Sequence, residues 1–312
     1  MPFGIWRLVR GRGVAWGFLH PVRSLARSDR LGSFSVIRLL AQGGNGSIFV
    51  CAVRKRFEAD DGEEMDEGSE VVVKVAPADE DGAEQLRNEA KVLRQLREMG
   101  LEMGLRSATP GRRRRAPLPV PGNAAVRAES GPAAALGAPR PPQRPCRVHA
   151  DLHPSNVLVD SAAPSRLLLV DYGLSVQFKV LDGDDQTRTM GEAEMLRRPL
   201  RGVLAFLSPW LLRGQGRSRR DDVWAVFAIV IQLSVGLLWA DTPRAVMKRW
   251  IVETAPEEIV RRMPSAFRRA FIEYLAPLTF DSDIDYASME ALIREAAMAE
   301  GANLNEQYNF CP

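Results

Sequence analysis

The first part of the chain alternates apolar and polar residues in a way that predicts strands followed by one helix. The run FSVIRLLAQGGNGSIFVCAVRKR, which begins at Phe34, indicates a strand, a glycine turn and a second strand. A further strand is predicted over residues 71–75, where valines predominate. The next segment repeats apolar residues at three- and four-residue spacings: Leu86, Ala90, Leu93 and Leu96. This spacing predicts an amphipathic helix that ends at Gly100.

The second half of the chain predicts short buried strands and then helices. VHADLHPSNVLVD and SRLLLVDYGLS are typical of strands around a polar loop, and the pattern from Asp221 onward is mostly helical. Further helices are predicted over residues 261–274 and 287–299. Residues 223–240 carry no charge and reach the lower length limit of a membrane-spanning helix. We favour a helix buried on all sides in a large domain, and expect no stable membrane span.

Three segments show neither the two-residue period of a strand nor the 3.6-residue period of a helix, and they are predicted to lie outside the core. Residues 1–30 are rich in arginine, with no acid before Asp29, and are interpreted as a disordered basic extension of a cytoplasmic protein. An organellar transit peptide is the alternative. Residues 58–70 are acidic at eight of thirteen positions and predict a solvated loop. Residues 101–147 hold nine prolines, nine arginines, nine alanines and five glycines and are predicted to be disordered.

Composition excludes several classes of protein. The chain has 312 residues, of which 46% are hydrophobic and 26% charged, and this is enough for one large domain or two lobes. Bulk disorder, collagen and a disulfide-rich miniprotein are excluded. Three widely spaced cysteines fit neither a disulfide framework nor a zinc cluster, so a reducing compartment is expected. The net charge of +3 gives no reason to expect nucleic acid as a partner.

The first chemical motif is typical of a site for a nucleoside triphosphate. Gly43, Gly44 and Gly46 form a turn whose backbone amides can approach phosphate groups. Lys74 follows within a valine-rich strand, and Glu89 lies fifteen residues later on the predicted helix. A lysine among valines keeps its charge in a pocket only when an acid neutralises it, so we predict a Lys74–Glu89 pair.

The second motif supplies the remaining groups that phosphoryl transfer needs. HADLHPSN contains Asp151 and, five residues later, Asn156, and VDYG contains Asp171. Asp151 is predicted to orient the proton of the attacking hydroxyl. Asn156 and Asp171 are the predicted magnesium ligands, because Mg²⁺ prefers hard oxygen donors.

These motifs, in this order, resemble those of protein kinases, and the chain is most similar to the casein kinase I family. EQLRNEAKVL resembles the third helix of that family, and GVLAFLSPWLLRGQGRSRRDDVWAV resembles the end of its activation segment. The SRRDD run at residues 218–222 is the most specific part. The resemblance covers roughly residues 34–75, 82–100 and 147–310, and it implies that Asp222 braces the catalytic loop.

The resemblance implies an α+β fold of two lobes, with a small lobe over residues 34–100 and a large lobe over residues 148–312. It also implies a monomeric serine/threonine kinase that uses ATP and Mg²⁺ and acts on a protein substrate. Lys74 would then position the α- and β-phosphates against Glu89.

Several residues depart from the pattern of the family. Ala150 replaces the arginine of the H-R-D motif, and His153 stands where protein kinases carry a lysine beside the transferred phosphoryl group. Ala41 for the first glycine and Tyr172 for phenylalanine are mild changes. The polar and basic residues before the substrate site are replaced by apolar ones: Val203, Leu204 and Ala205. The nearby basic residues offer a substitute anion site or a solvated face: Arg197, Arg198 and Arg201.

Residues 101–147 stand where the resembled fold has its hinge and part of its core. Two explanations remain open: retained noncoding sequence in the gene model, or a degenerate kinase that has lost the hinge. A catalytically impaired pseudokinase that acts as a binding protein is therefore one alternative function. A small-molecule phosphotransferase of the aminoglycoside or choline kinase type is another, because HADLHPSNVLVD is similar to the catalytic loop of those enzymes.

Overall fold

The computed structural model describes residues 30–31, 33–43, 46–58, 64–76, 79–98, 146–159, 167–181 and 187–301. These residues form a mixed fold of strands and helices, which confirms the predicted α+β class at this level. Residues 1–29 of the predicted N-terminal extension and residues 101–145 of the predicted tract lie outside the described residues, and Arg30 at the end of the extension belongs to a strand. A strand at the end of that tract begins at Arg147, one residue before the boundary that we predicted.

The described residues form the following strands: Arg30–Leu31 (β1), Phe34–Gly43 (β2), Gly46–Val53 (β3), Phe57–Glu58 (β4), Glu64–Met65 (β5), Glu70–Val75 (β6), Arg147–Val148 (β7), Val157–Val159 (β8), Leu167–Leu169 (β9), Val176–Gln177 (β10), Lys179–Leu181 (β11) and Thr187–Thr189 (β12). They form the following α-helices: Glu80–Glu98 (α1), Glu192–Leu196 (α2), Pro209–Leu212 (α3), Arg219–Val235 (α4), Arg244–Glu253 (α5), Pro256–Ile259 (α6), Ser265–Ala270 (α7) and Tyr286–Ala299 (α8).

The N-terminal sheet is antiparallel, in the order β1–β2–β3–β6. Alternate residues of its strands bury one face in a common core, because successive side chains of a strand point to opposite sides. In β6 the buried residues are Val71, Val73 and Val75, so Lys74 lies on the other face. Helix α1 packs Leu86 and Ala90 in a second small cluster beside the end of β6.

The predicted strand, glycine turn and second strand are present as β2, the turn and β3. Gly43 pairs with Gly46, and Gly44 lies outside the described residues. Gly46 has a φ of 129°, and a Cβ atom at this position would lie 2.2 Å from the carbonyl oxygen of Val75. A residue with a side chain therefore cannot stand at Gly46 without displacing β6.

The acidic segment at 58–70 is not entirely the solvated loop that we predicted. Strands β4 and β5 pair within it, and Met65 is buried in the core of the N-terminal sheet. The backbone also connects the segment to β3, since the amide of Gly68 donates to the carbonyl of Val53 over 2.8 Å. A single apolar side chain thus anchors a stretch whose composition alone indicated full exposure.

Helix α4 is the centre of the C-terminal core, and it confirms the predicted buried helix only over the first part of the uncharged run. Its buried residues are Val223, Trp224, Ala225, Phe227, Ala228, Ile229 and Ile231. Residues 232–235 are exposed, and the helix ends before the last five residues of the run. At the start of the helix the amide of Ser218 donates to Oδ2 of Asp221 over 2.6 Å, and the helix ends at Val235, before Gly236 with its φ of 77°. Within the described part of the chain, no helix is both long and apolar enough to cross a membrane.

The two later helices were predicted with small errors in their limits. Helix α7 continues directly into a π-helical turn at Phe271–Leu275, and α8 begins at Tyr286. The rings of Phe267 and Phe271 lie 5.3 and 5.5 Å from that of Phe227 in α4. Aromatic packing at these distances joins α7 and the π-helical turn to the central helix.

Candidate active site

The side chain of Lys74, on β6, connects the N-terminal sheet to the segment after β9. Its Nζ atom donates to Oε2 of Glu89 over 2.9 Å and to Oδ1 of Asp171 over 2.7 Å. The side chains of Lys74, Glu89 and Asp171 are 13%, 8% and 23% exposed, so the cluster is largely shielded from solvent. The predicted Lys74–Glu89 pair is present in the structure, and Asp171 joins it from 97 residues away in sequence.

The charges of this cluster change the protonation behaviour of all three side chains. Burial lowers the pKa of Lys74, but the carboxylates of Glu89 and Asp171 outweigh burial and leave that pKa above its ordinary value. Burial raises the pKa of Asp171, but the charge of Lys74 outweighs burial and brings that pKa below its ordinary value. The pKa of Glu89 stays raised, because its deeper burial exceeds the effect of Lys74. Lys74 therefore stays charged and keeps Asp171 ionised.

Asp222 holds the backbone of the loop that leads into Asp151. Its Oδ2 atom accepts the amide of His149 over 2.6 Å, and its Oδ1 atom accepts the amide of Ala150 over 3.0 Å. Ala150 has a φ of 73°, a left-handed conformation that costs on the order of 1–3 kcal/mol for a residue with a side chain. The two hydrogen bonds to Asp222 stabilise this conformation, which directs the chain into Asp151.

Asp151 is buried, and one of its oxygens has no partner. Among the described residues, no hydrogen-bond donor reaches Oδ1 of Asp151. Burial raises the pKa of this carboxyl group, while the charges of His153 and Arg217 and the amide of Val203 oppose that shift. Nε2 of His153 lies 3.9 Å from Oδ2 of Asp151. Oδ1 is thus a buried acceptor that the described residues leave unsatisfied.

Asn156 is fixed by its own loop. Its Nδ2 atom donates to the carbonyl of Asp151 over 2.8 Å. Because this bond uses the amide nitrogen, the amide oxygen of Asn156 remains available as an acceptor or ligand. Asp171 likewise uses Oδ1 for Lys74. The structure brings Asp151 and Asn156 into direct contact and joins Asp171 to Lys74, and the donor set of Asn156 and Asp171 has the hard oxygens that suit Mg²⁺.

His149 is an uncharged support for the loop. Its Nε2 atom lies 3.1 Å from the carbonyl of Val170, and its Nδ1 atom accepts the amide of Asp151 at 3.3 Å. This pair of contacts assigns the hydrogen to Nε2. Burial lowers the pKa of His149 to about 4, so the ring is neutral around pH 7.

Two supporting residues were missed by the sequence reasoning. Asn88 lies next to Glu89 and donates from Nδ2 to the carbonyls of Gly173 and Ser175, over 3.0 and 2.7 Å. The buried Arg217 donates to the carbonyl of Ala150 over 2.9 Å and to that of Arg201 over 2.8 Å. Both residues stand within the motifs EQLRNEAKVL and GRSRRDD, but polar residues on a helix or in a loop carry no periodic signal that separates them from solvated neighbours.

The segment that precedes the predicted substrate region lies against the catalytic loop. A Cβ atom at Gly202 would lie 3.3 Å from Oδ1 of Asp151, so the glycine lets the two backbones approach closely. Arg201 forms an exposed ion pair with Asp81 at the start of α1, over 2.6 Å. Within the described ranges, neither Arg197 nor Arg198 pairs with an acid, and both are exposed. Arg201 therefore differs from its two neighbours and is not free to act as an anion site.

Comparison with known proteins gives partial matches to kinases. A stretch of 84 residues, 27% of the chain, is 38% identical to serine/threonine-protein kinase D3 of Mus musculus and 37% identical to that of Homo sapiens. A stretch of 87 residues is 31% identical to mitogen-activated protein kinase kinase kinase 1 of Mus musculus. The matches span 8% and 5% of the length of those proteins.

No family model matches the chain. The partial matches relate the chain to serine/threonine protein kinases, and they do not single out the casein kinase I family.

Proposed function

We propose that this chain is a serine/threonine protein kinase of casein kinase I type, which transfers the γ-phosphate of ATP to protein hydroxyl groups. The observation that carries the proposal is the position of Lys74, whose ammonium group bonds to both Glu89 and Asp171. A lysine held between two carboxylates from distant parts of the chain is a costly arrangement unless its charge has a use. Phosphate binding is the use that the neighbouring glycine turn supports.

In the proposed reaction each residue of the cluster has a separate role. Lys74 would bind the α- and β-phosphates, and Glu89 would keep the ammonium group in place. Asn156 and Asp171 would hold Mg²⁺, which supplies positive charge to the phosphates when bound. The available amide oxygen of Asn156 and the ionised carboxylate of Asp171 support this assignment.

Asp151 would accept or orient the proton of the substrate hydroxyl. Its raised pKa suits a group that takes up a proton during reaction. The hydroxyl oxygen would bond to the γ-phosphorus, the bond from that phosphorus to the β,γ-bridging oxygen would break, and ADP would leave. Asp222 would act as a positioning residue, through its hydrogen bonds to His149 and Ala150.

Phosphate transfer to casein tests the proposal. The full chain should phosphorylate casein with ATP and Mg²⁺, and the variants Asp171→Asn and Asp151→Asn should each lose this activity. Asp241→Asn, at an exposed position, is the matched control and should keep it. A chain that transfers no phosphate to casein under these conditions, or whose activity survives Asp171→Asn, contradicts the proposal. Transfer to an aminoglycoside or choline, but not to casein, would instead favour a small-molecule phosphotransferase.

A pseudokinase is the second candidate, and His153 is the observation that favours it. The imidazole lies 3.9 Å from the carboxylate of Asp151, where protein kinases carry a lysine with a fixed charge. A thermal-shift titration with Mg-ATP separates the two functions. A competent site should raise the unfolding temperature as the nucleotide concentration increases, and a pseudokinase that binds no nucleotide should show no shift.

A further inference from the structure

A small cavity lies beside Asp151, between its loop, the segment after Gly202 and helix α4. The space open to the centre of a water-sized sphere is about 10 Å³, which is the least volume that can hold one water molecule. The polar part of the lining consists of Asp151, Arg217, Asp221 and Asp222. All of the lining residues belong to the described ranges 146–159 and 187–301. The cavity therefore combines the size of a single water molecule with polar walls.

The buried oxygen Oδ1 of Asp151 lies next to this cavity. A Cβ atom at position 202 would lie 3.3 Å from Oδ1 and 3.3 Å from Cδ2 of Leu207, which lines the cavity. Among the described residues, none donates a hydrogen bond to Oδ1. A buried carboxylate oxygen without a donor is unfavourable, so a donor inside the cavity would stabilise the fold.

The charges around the cavity favour a neutral molecule. The carboxylates of Asp151, Asp221 and Asp222 disfavour an anion, and the guanidinium of Arg217 disfavours a cation. Within the described part of the chain, no cluster of acidic, histidine or cysteine side chains suits a metal ion. A single neutral molecule of this size that donates hydrogen bonds is water.

The other polar groups of the lining can provide further partners for a water molecule. Asp221 accepts the hydroxyl of Ser208 and the amide of Ser218, and each of its oxygens can accept a second hydrogen. Arg217 uses Nη1 and Nη2 for two backbone carbonyls, and each of these nitrogens carries a second hydrogen. A buried water molecule makes about three hydrogen bonds, and these groups together with Asp151 can supply them.

We propose that one water molecule occupies this cavity and donates a hydrogen bond to Oδ1 of Asp151. Its second hydrogen would go to a carboxylate of Asp221 or Asp222, and its oxygen would accept from Arg217. The site belongs to the folded chain itself and needs no nucleotide. Its ligand class follows from the volume, the mixed charges and the unsatisfied oxygen taken together.

Two substitutions of nearly the same shape at Ala225 test the site. Ala225 lines the cavity from α4 and is buried. The β-branched side chains of Ala225→Val and Ala225→Thr should both displace the water molecule, but only the threonine hydroxyl can replace its hydrogen bonds. We expect Ala225→Thr to unfold about 2–4 °C above Ala225→Val. Far-ultraviolet circular dichroism shows whether both variants keep the fold.

Ala228, three residues further along α4, is the position for the matched control. It is buried in the same C-terminal core but does not line the cavity. A threonine hydroxyl there meets no polar lining, so Ala228→Val should unfold at a higher temperature than Ala228→Thr. The same comparison should thus give opposite results at two positions of one helix.

A consequence for catalysis rests on the proposed function. A water molecule bound to Oδ1 would hold the carboxylate of Asp151 in one orientation and leave Oδ2, which lies 3.9 Å from Nε2 of His153, for the substrate hydroxyl. In the casein assay, Ala225→Val should therefore have a lower kcat than Ala225→Thr, with the same KM for ATP. Equal kcat values would contradict this orienting role.

The water site itself is overturned if Ala225→Val unfolds at the same temperature as Ala225→Thr or above it, because a dry cavity gains from added methyl groups. A crystal structure of the unaltered chain is a second test that needs no variant. Electron density for a water molecule within about 3.2 Å of Oδ1 supports the site, and its absence where other buried waters are seen overturns it. Neither test involves phosphate transfer, so a chain that passes both but is inactive toward casein contradicts the proposed function alone.

Discussion

The two halves of the candidate active site differ in how their charges are satisfied. Around Lys74 every charge has a partner, since its ammonium group contacts Glu89 and Asp171 at hydrogen-bond distance. Around Asp151 the polar groups are only partly matched, with one carboxylate oxygen unpartnered among the described residues and His153 at 3.9 Å. The Lys74 half is a cluster of mutually neutralised ion pairs, whereas the Asp151 half contains a buried carboxylate whose charge is only partly neutralised.

This difference separates charges that also stabilise the fold, around Lys74, from the charge of Asp151, which the fold does not need. Loss of Lys74 from the first half leaves the buried carboxylates of Glu89 and Asp171 close to each other without a cation, and this destabilises the fold. Neutralising Asp151 in the second half removes a charge that burial already disfavours. The two halves should therefore respond in opposite ways to the loss of one charge.

Lys74→Met should have the largest effect. It leaves the carboxylates of Glu89 and Asp171 without their cation, so we expect the free energy of unfolding to fall by about 3 kcal/mol. Phosphate transfer should fall on the order of a hundredfold or more, because an electrostatic contact to the phosphates is lost. Urea unfolding and a casein assay measure the two effects.

Lys91→Met is the control for this variant, because Lys91 lies exposed on α1 two residues from Glu89. It should change neither stability nor activity appreciably. Equal stability losses in the two variants would show that the Lys74 cluster is not a buried ion pair.

Asp151→Asn should separate activity from stability. We expect kcat to fall on the order of a thousandfold, because the asparagine cannot accept the hydroxyl proton. The unfolding temperature should stay the same or rise, since the variant removes a buried charge with an unsatisfied oxygen. A fall in unfolding temperature comparable to that of Lys74→Met would contradict the contrast between the two halves.

His149 predicts a specific loss of stability in acid. In the folded chain its pKa is lowered from its ordinary value of 6.5 to about 4 by burial. Between these values the unfolded chain binds a proton that the folded chain does not, so the contribution of His149 is present above pH 6.5 and is lost as the pH falls through 4. The full loss is on the order of 3 kcal/mol.

The comparison with His149→Gln isolates this contribution. Glu89 and Asp222 have raised pKa values, so their contributions to stability increase as the pH falls. These contributions are the same in the unaltered chain and in the variant. The unaltered chain should therefore lose more stability than the variant between neutral and acidic pH in urea unfolding. Parallel curves would exclude a buried, neutral His149.

Asp81→Asn should have the smallest effect. Its ion pair with Arg201 spans 2.6 Å, but the two side chains are 65% and 31% exposed. Exposed pairs contribute less than about 1 kcal/mol, and added salt should remove even this difference. Glu84→Gln, on the exposed side of the same helix, is the control. A larger, salt-independent effect would mean that this bridge belongs with the buried cluster.

The sequence predicted contacts that follow from spacing and chemistry together. The Lys74–Glu89 pair is present, because a lysine among valines needs an acid as its partner. The contacts of Asp222 with the backbone of His149 and Ala150, which only the family resemblance implied, are present as well. The predicted strands on both sides of the glycine turn and the valine-rich strand are also present.

Other contacts could not be predicted because they depend on tertiary packing. In the sequence, Asn88 is an ordinary polar helix residue beside Glu89. Its role depends on its hydrogen bond to the carbonyl of Gly173, which only the tertiary structure brings close. Met65 is the one apolar residue of large size in an acidic stretch, and its burial depends on packing against the core of the folded sheet. Hydrogen bonds from a side chain to a distant backbone carbonyl, such as those of Arg217, leave no pattern along the chain.

The double hydrogen bond of Arg217 also has a mechanical consequence. One guanidinium holds the carbonyls of Ala150 and Arg201, so the loop that carries Asp151 and the segment that carries Gly202 are linked to each other. Any opening movement of that segment must either carry the loop with it or break a hydrogen bond of a buried cation. The two stretches are thus expected to move together.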